Sequence, residues 1–327
     1  MKVLLEVRNL RKYFPVKKKT FRESRQYVHA LEDISFDLRE GETLGVVGES
    51  GSGKSTLGRV ILRLETPTDG TITYDGNDVT SLSGKDLRAF RECFQMVFQD
   101  PYSSLNPRLT VGNAIAEPMR IHGKVRSHNE AKSAVSEMLL RVGLQPEMAN
   151  LYPHSFSGGQ RQRIGIARAL SLGPKVLICD EAVSALDVSV QSQVLNLFNR
   201  LKRELNLTYI FIAHDLSVVR YISDRIMVMY LGQIMELAPK EQLFETMYHP
   251  YTESLISASP EPSTKTRKGR IILKGEVPSS LNPPKGCRFH TRCFKEMPIC
   301  SETEPELREV APGHFVRCHL CAEKGRG

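Results

Sequence analysis

The residues from Gly48 to Thr56 form a glycine-rich loop, Gly-Glu-Ser-Gly-Ser-Gly-Lys-Ser-Thr. The apolar segment before this loop predicts a strand over residues 43–47, and the segment after it predicts a helix over residues 54–64. Glycines let backbone N–H groups converge on phosphate oxygens, and the start of the helix adds a favourable partial charge. The pattern G-x-x-x-x-G-K-[ST] therefore predicts a phosphate-binding loop, in which Lys54 contacts the β- and γ-phosphates and Ser55 binds Mg²⁺. The predicted nucleotide contacts in this loop are Gly48, Ser50, Gly51, Gly53, Lys54, Ser55 and Thr56.

Polar residues that follow three apolar segments are candidates for catalysis. Asp180 and Glu181 end one such segment. A carboxylate at a strand end holds Mg²⁺ directly or through water, and a second carboxylate can orient or deprotonate the attacking water. Gln99 follows another apolar segment and is a candidate for contact with Mg²⁺ or the water. His214 follows a third and could donate a hydrogen bond to the γ-phosphate, although a lone histidine at a strand end is more often structural.

A second glycine loop, Ser157-Gly158-Gly159-Gln160, precedes a predicted helix that extends to Leu170. Because the start of a helix binds anions, this loop is a second candidate for the γ-phosphate. Both loops would contact the same phosphate, yet a helical insertion separates them in the chain. A symmetric two-chain sandwich resolves the conflict, since each ATP is then held by the phosphate loop of one subunit and the glycine loop of the other.

Apolar strands alternate with helices along most of the chain. Buried strands near residues 176–179 and 209–213 favour an α/β fold with a mainly parallel core sheet, and alternating residues near 34–38 favour an N-terminal antiparallel β subdomain. Helical periodicity indicates a helical subdomain at about residues 100–165, and Arg225 to Glu236 predicts a hairpin. Proline, serine and charged residues at 259–270 indicate a linker. We therefore expect an ATPase domain over 1–260 and a linker with a small cysteine-rich extension over 261–327.

Composition excludes several classes of protein. No apolar stretch reaches the 18 residues that a membrane span needs, and charges at Lys2, Glu6 and Arg8 interrupt any signal-peptide core. We therefore expect a cytosolic chain, unless a partner holds it at a membrane. The net charge of +8 is interpreted as a solvated surface, because no aromatic residues lie among the basic runs Lys17–Lys19 and Lys265–Arg270. No nucleic-acid partner is predicted.

Five of the seven cysteines fall near the C-terminus. Cys287, Cys293, Cys300 and Cys318, with Cys321 close by, favour a metal site, because disulfides are rare in a reducing cytosol. The spacing alone does not separate Zn²⁺ from a [4Fe–4S] cluster, and a zinc site would have three further candidate ligands, His290, His314 and His319. The other two cysteines, Cys93 and Cys179, lie in apolar segments and are expected in the core.

The complete set of motifs resembles the ATPase subunits of ABC transporters. In chain order the set comprises the phosphate loop, Gln99, the sequence SGGQRQR from Ser157, the strand VLICDE, the sequence SALD at Ser184–Asp187, and His214. The resemblance covers about residues 1–260. Relatives that act in DNA repair or on ribosomes usually contain long coiled coils or two tandem domains, and neither feature is present here.

This resemblance implies a role for each matching residue. Lys54 and Ser55 match the Walker A pair, Asp180 the magnesium ligand, Glu181 the catalytic base, Gln99 the Q-loop residue and His214 the switch histidine. Ser157 to Gln160 match the signature that contacts ATP across the dimer, and Asp187 matches the aspartate that couples the subunits. Phe14 fits the adenine-stacking aromatic by its offset from Asn9, with Tyr13 and Tyr27 as alternatives.

More specific sequences resemble the ATPases of oligopeptide and dipeptide importers. These sequences are residues 99–108, His249-Pro-Tyr-Thr252, Gly275-Glu-Val-Pro278 and residues 282–290. The resemblance implies ATP-driven peptide import, with two membrane permeases, an extracytoplasmic solute-binding protein, and a position on the cytoplasmic face of the membrane. The sequence is closer to the second of two such ATPases, so a heterodimer with a sister ATPase is expected. Importers of nickel, glutathione and some oligosaccharides share these sequences, so the substrate stays open.

The resemblance to peptide-importer tails also favours a [4Fe–4S] cluster over zinc and over unligated cysteines, with Cys287, Cys293, Cys300 and Cys318 as its ligands. A structural role for this extension is preferred. The competing hypothesis, from a different functional class, is that the chain is a regulatory subunit whose cysteines sense metal or redox state.

Overall fold

The computed structural model describes residues 2–16, 25–100, 104–258 and 270–321. Three predicted features lie wholly or partly outside the described residues: the basic runs, the linker, and the middle of the sequence 99–108. The chain forms two compact units. The first comprises Met1–Ser81 and Ala213–Gly327, and the second comprises Leu82–Ile212.

The first unit contains an antiparallel sheet built from the N-terminal part of the chain. Its strands, in the order β2-β1-β4-β5, are β1 (Val3–Pro15), β2 (Tyr27–Arg39), β4 (Asp69–Tyr74) and β5 (Asn77–Asp78). Ile34, Phe36 and Leu38 alternate along β2 and are all buried. This period of two is what a half-buried strand requires, and it confirms the predicted antiparallel β subdomain.

A second sheet in the same unit contains the strand that leads into the phosphate loop. Its strands are β3 (Thr43–Val47), β9 (Arg225–Tyr230), β10 (Gln233–Pro239), β11 (Arg308–Ala311) and β12 (His314–Val316). β3 runs parallel to β9, whereas β9–β10, β10–β12 and β12–β11 are antiparallel pairs. The predicted hairpin is confirmed as β9–β10, with Leu231 and Gly232 in its turn at φ 42° and 80°.

The described part of the C-terminal extension packs within this first unit. Leu237 of β10 pairs with Phe315 of β12, which adds two strands from the extension to the sheet. Next to this junction the buried carboxylate of Glu236 accepts hydrogen bonds from the backbone N–H groups of Tyr248 and His249 and contacts His314 Nε2 at 2.7 Å. The composition of the chain changes at about residue 260, but the segments before and after this point belong to the same compact unit.

The second unit contains three parallel strands, β6 (Phe94–Val97), β7 (Val176–Asp180) and β8 (Thr208–Ile212). Every residue of β7 and β8 is buried. Parallel strands covered on both faces need continuous apolar runs, which is why these segments are apolar without alternation. The α/β fold class is thereby confirmed.

Helices occur in both units, and the helical period predicted from Val135 to Val142 falls on the helix His128–Arg141. In the second unit they span Gly84–Cys93, Val111–Ile121, His128–Arg141, Gly158–Leu170 and Val188–Leu205. In the first unit they span Lys54–Ile61, Leu216–Ile222, Lys240–Glu245, Pro250–Ala258 and Ile299–Glu302. Gly143 follows one of these helices at φ 75°, as predicted for a helix end. The helix after the phosphate loop ends at Ile61, earlier than predicted, because Arg63 adopts a left-handed conformation at φ 56°.

Candidate functional site

The phosphate loop of the first unit has the strand–loop–helix geometry that its sequence predicts. Gly48, Gly51 and Gly53 adopt φ angles of 154°, 79° and 99°, which L-residues with side chains rarely adopt. A Cβ at Gly48 would lie 2.1 Å from the Met229 carbonyl oxygen, so no larger residue fits there. The loop then ends in the helix that begins at Lys54. Successive backbone N–H groups at such a helix start form an anion-binding surface.

Lys54 is held inside the phosphate loop by the main chain of the loop itself. Its Nζ donates hydrogen bonds to the carbonyl oxygens of Gly48, at 2.7 Å, and Glu49, at 2.9 Å. Its side chain also approaches Ser52 Oγ at 3.3 Å, and the residue is only 5% exposed. The ammonium group is therefore fixed among carbonyl dipoles, at the position from which it can reach a phosphate.

Glu49 of this loop has contacts that the sequence analysis did not anticipate. Its backbone N–H donates a 2.9 Å hydrogen bond to Tyr251 Oη, and its carboxylate binds Arg292 through both guanidinium Nη atoms. Tyr251 belongs to the sequence His249-Pro-Tyr-Thr252, which carried part of the family resemblance. The sequence therefore marks Tyr251 as a residue of interest, but nothing in its spacing predicts the contact with Glu49.

His214 also lies in the first unit and is exposed at the start of the helix Leu216–Ile222. The preceding residue, Ala213, donates its backbone N–H to the carbonyl oxygen of Val46 at 3.1 Å. This bond ties the histidine segment to β3, the strand that runs into the phosphate loop. Asp215 caps the helix by accepting from Ser217 N at 2.8 Å, which fixes the backbone next to the histidine.

Asp180, Glu181 and Gln99 come together in the second unit, at the carboxyl ends of β6 and β7. Gln99 Nε2 donates a 2.8 Å hydrogen bond to Glu181 Oε2. Asp180 is 5% exposed and ends the buried strand β7. Carboxylate and amide oxygens are suitable ligands for Mg²⁺, so the chemistry of Asp180 and Gln99 fits the predicted ion.

Glu181 has an unusual backbone conformation, with φ at 48°. A residue with a side chain is strained there by about 1–3 kcal/mol, and such strain persists only where the surroundings impose it. Here the backbone N–H of Glu181 donates to Ile212 O at 2.9 Å, while its carbonyl accepts from Ser184 Oγ at 2.9 Å. The sharp turn directs the carboxylate toward Gln99, out of the line of β7.

The helix predicted after the glycine loop Ser157–Gln160 is present, and Ser157 caps it. Ser157 Oγ accepts a hydrogen bond from Gln160 N, and Gln160 Oε1 accepts one from Ser157 N at 3.0 Å. This reciprocal pair is a capping box, which fixes the entry of the helix. Gly159 is buried, and a Cβ there would lie 2.3 Å from Val190 Cγ1, so glycine allows close contact with the helix Val188–Leu205.

Asp187 caps that second helix. Its Oδ1 accepts from Val190 N at 2.9 Å and from Ser189 Oγ at 2.7 Å. The hydrogen bond from the Val190 backbone, followed by that from Ser189, lowers the pKa of the Asp187 carboxyl below its ordinary value. The carboxylate is fully charged at neutral pH and is exposed at the surface.

The four cysteines predicted as ligands lie near one another in the first unit. Cys287 N donates to Cys300 O at 2.8 Å. Burial, and then the neighbouring thiols, raise the pKa of Cys287 to about 12 and that of Cys293 to about 11. A hydrogen bond with Cys321 and burial raise the pKa of Cys318 as well. The donors fit a thiolate-bound group in their chemistry, although within the described residues no three His, Cys, Asp or Glu side chains are grouped closely enough to hold a single metal ion.

The histidines proposed for a zinc site have other partners. His290 Nδ1 contacts Cys287 O at 2.8 Å, His314 Nε2 contacts Glu236, and His319 Nε2 contacts Thr303 O at 2.8 Å. Of the two cysteines expected in the core, Cys179 is fully buried and Cys93 is half-buried. Burial, and then the charge of Asp180, raise the pKa of the Cys179 thiol well above its ordinary value.

The three candidates for adenine stacking lie at the outer ends of β1 and β2. Phe14 is half-buried beneath Lys12 Nζ, which lies 4.6 Å from its ring centroid. Tyr13 donates its hydroxyl to Glu32 at 2.7 Å, which fixes the ring orientation, and Tyr27 is 38% exposed. Phe14 stays the preferred candidate for adenine stacking, because its ring is not fixed by a hydrogen bond as the Tyr13 ring is.

Within the described ranges, no helix is long and apolar enough to cross a membrane.

Comparison with known families and proteins agrees with these features. A family described as "ABC transporter" matches residues 31–184, and one described as "Oligopeptide/dipeptide transporter, C-terminal region" matches residues 235–300. The chain is 54% identical, over 97% of both chains, to the oligopeptide transport ATP-binding protein AppF of Bacillus subtilis. It is 50% identical to a probable peptide ABC transporter ATP-binding protein of Sinorhizobium fredii, over 98% of this chain and 90% of that protein.

Solved structures of ATP-binding cassettes are similar as well. One is the dimeric cassette MJ0796 in a post-hydrolysis state with ADP and Pi, at a TM-score of 0.63 and 29% identity over 72% of this chain and 99% of that one. Another is cbiO1 of Clostridium perfringens, part of the ABC transporter complex cbiONQ, at a TM-score of 0.64 and 27% identity over 75% of this chain and 92% of that one. The chain belongs to the ATP-binding subunits of ABC transporters, and it carries the C-terminal region of the oligopeptide/dipeptide transporter family.

Proposed function

We propose that this chain is the ATP-hydrolysing subunit of an importer of oligopeptides or dipeptides. The observation that carries this proposal is the hydrogen bond between Gln99 and Glu181 in a chain that also forms a complete phosphate loop. A held carboxylate at a strained strand end is suited to orient a water molecule for attack on a γ-phosphate. The peptide substrate is supported by the oligopeptide and peptide transporters among its relatives, which do not favour nickel, glutathione or oligosaccharides.

Each residue has a proposed role in hydrolysis. Lys54 and the N–H groups of the phosphate loop bind the β- and γ-phosphates, and Glu181 orients or deprotonates the attacking water. His214 donates a hydrogen bond to the γ-phosphate. Ser55, Gln99 and Asp180 would hold Mg²⁺, which neutralises charge on the phosphates when it is bound.

The signature loop Ser157–Gln160 and Asp187 are proposed to contact ATP held by a second subunit. The exposed Ser157 at the start of a capped helix supports this role, because a helix start favours an anion. We propose that the second subunit is a sister ATPase and that the pair docks on two permeases at the cytoplasmic face of the membrane. An extracytoplasmic solute-binding protein would deliver the peptide.

We propose that Cys287, Cys293, Cys300 and Cys318 hold a [4Fe–4S] cluster with a structural role. The burial of Cys287 and Cys300, whose backbones share a 2.8 Å hydrogen bond, supports the proposal, with Cys293 and Cys318 half-buried. Anaerobic purification with visible absorption and iron and zinc assays tests it. Cys300→Ser should lose the iron and Cys93→Ser should retain it, whereas a colourless wild-type protein without iron would exclude the cluster.

The transport proposal is tested with the chain assembled with its cognate permeases, sister ATPase and binding protein in vesicles. We expect ATP-dependent uptake of labelled peptides, and competition with peptides of graded length should define the preferred size. Lys54→Ala should abolish this uptake. Uptake of nickel, glutathione or an oligosaccharide with no uptake of peptide would contradict the peptide assignment and leave the ATPase assignment intact.

A further inference from the structure

The C-terminal extension reaches the phosphate loop through an ion pair between Arg292 and Glu49. Arg292 Nη1 lies 2.6 Å from Glu49 Oε2, and Nη2 lies 3.2 Å from Oε1. The side chains of Arg292 and Glu49 are 9% and 28% exposed, so solvent screens the pair only in part. Two parallel contacts of this kind fix direction as well as distance.

Glu49 connects this ion pair to Lys54. Its carbonyl oxygen accepts from Lys54 Nζ at 2.9 Å and from Ser52 N at 3.2 Å, while its N–H donates to Tyr251 Oη at 2.9 Å. The backbone of Glu49 is thus held on one side by Tyr251 and on the other by the loop. Arg292 then holds the side chain of the same residue.

A second arginine of the extension contacts the β9–β10 turn, which is hydrogen-bonded to the phosphate loop. Arg288 donates to the carbonyl oxygen of Leu231 and pairs with Glu32 at 3.1 Å. The next residue in the turn, Gly232, donates its N–H to Ser52 O at 2.9 Å. Because Ser52 lies in the phosphate loop, Arg288 restrains the turn on which the loop rests.

The segment that carries both arginines also contains Phe289, which packs in a buried aromatic cluster. Tyr230, Tyr251 and Phe289 form a buried aromatic cluster with ring centroids 4.8 to 5.3 Å apart. Arg288 and Arg292 adjoin Cys287 and Cys293 in sequence. The same short segment therefore carries two of the clustered thiols, the arginine that contacts the phosphate loop, and the arginine that contacts the β9–β10 turn.

We propose that Arg292 is a positioning residue for ATP, so that the C-terminal extension forms part of the nucleotide site. Arg292 sets the conformation of Glu49 and neutralises a carboxylate that would otherwise stand beside the triphosphate. The inference rests on the proposed nucleotide function of the phosphate loop. Without Arg292, the Glu49 carboxylate is unpaired, repels the phosphates and frees the loop backbone.

Nucleotide binding to the full-length chain tests this inference. Arg292→Gln should raise the Kd for ATP on the order of tenfold, within the range measured for coupled charged neighbours. Arg292→Lys, which retains the charge without the two-pronged contact, should give an intermediate Kd. In the double variant Arg292→Gln with Glu49→Gln, the repelling carboxylate is gone, so the Kd should return close to that of Glu49→Gln alone.

Control variants distinguish a failure of the proposed Arg292 role from a failure of the nucleotide-binding function and from misfolding. Lys295→Gln removes an exposed pair with Glu253 in the same segment and should leave the Kd unchanged. Tyr251→Phe deletes only the hydroxyl that accepts from Glu49 N, and it should also weaken ATP binding. This variant provides the test if Arg292→Gln does not fold. If wild type binds no ATP, or Lys54→Ala binds like wild type, the nucleotide function itself fails.

If Lys54→Ala loses ATP while Arg292→Gln and Tyr251→Phe stay within about twofold of wild type, this inference alone is overturned. The same conclusion follows if the effects of Arg292→Gln and Glu49→Gln on the free energy of ATP binding are additive. Additive effects would mean that the two side chains act on ATP binding independently of each other.

Discussion

Gln99 donates a 2.8 Å hydrogen bond to Glu181, although the two residues are 82 positions apart in the chain. They meet because β6 and β7 are parallel neighbours whose carboxyl ends lie at the same edge. The amide thus orients the carboxylate that the strained turn after β7 projects from the sheet. The proposed hydrolysis depends on this carboxylate, and the proposed ATP binding depends on the residues around the phosphate loop.

Phe14 is predicted to stack on adenine. Phe14→Ala should raise the Kd for ATP roughly 5- to 150-fold, because stacking of a base on an aromatic ring contributes about 1–3 kcal/mol. Phe14→Tyr should retain most of the affinity, since the ring is kept. Titration with a fluorescent ATP analogue measures both, and Tyr27→Ala is the matched control. A larger loss in Tyr27→Ala than in Phe14→Ala would transfer the role to Tyr27.

Glu32 should make the stability of the first unit depend on acid pH. Burial alone would raise the pKa of its carboxyl, but the hydrogen bonds with Tyr13 and His29 and the charge of Arg288 outweigh burial and lower it below 4.5. Arg11 also contacts this carboxylate. A lowered pKa in the folded state means that the ionised form stabilises the fold above about pH 4.5. This stabilisation is lost as the pH falls through the folded-state pKa.

Glu32→Gln should therefore unfold at lower denaturant concentration than wild type at pH 7, by on the order of 1 kcal/mol after allowance for solvent screening. The difference should shrink below pH 4.5. Asp69→Asn, which removes an exposed partner of Arg11, is the control and should show little difference at either pH. A Glu32→Gln difference that is constant across this range would refute the predicted dependence.

Gly159 is predicted to be irreplaceable for packing reasons. Gly159→Ala should lower the free energy of unfolding by about 1–3 kcal/mol, because its Cβ would lie 2.3 Å from Val190 Cγ1. Adding Val190→Ala should restore part of the loss. Gly165→Ala in the same helix is the control, since a Cβ there has open space and alanine favours a helix. Equal destabilisation by both alanines would contradict the packing explanation.

The phosphate loop and the acidic pair were predictable because each is a short, contiguous motif. An apolar strand precedes each motif, and a helix follows the loop. The hairpin at Gly232 and the helix end at Gly143 were predictable because each needs a conformation that glycine adopts easily. The Ser157–Gln160 capping box could have been found from its spacing.

Other relationships had no local signal. Arg292 lies 243 positions from Glu49, and nothing in either segment indicates the other. The left-handed backbone of Glu181 results from bonds to Ile212 and Ser184, so the identity of the residue does not predict it. Long-range contacts of this kind follow from the topology, which short patterns do not determine.

The most direct test of the central claim is ATP turnover by Glu181→Gln in the assembled transporter. The substitution keeps the size of the side chain and one oxygen that can accept from Gln99 but removes the base, so turnover should fall at least about 10²-fold while the Kd for ATP stays near that of wild type. Turnover equal to wild type would contradict the assignment of Glu181 as the catalytic base and, with it, the proposed mechanism.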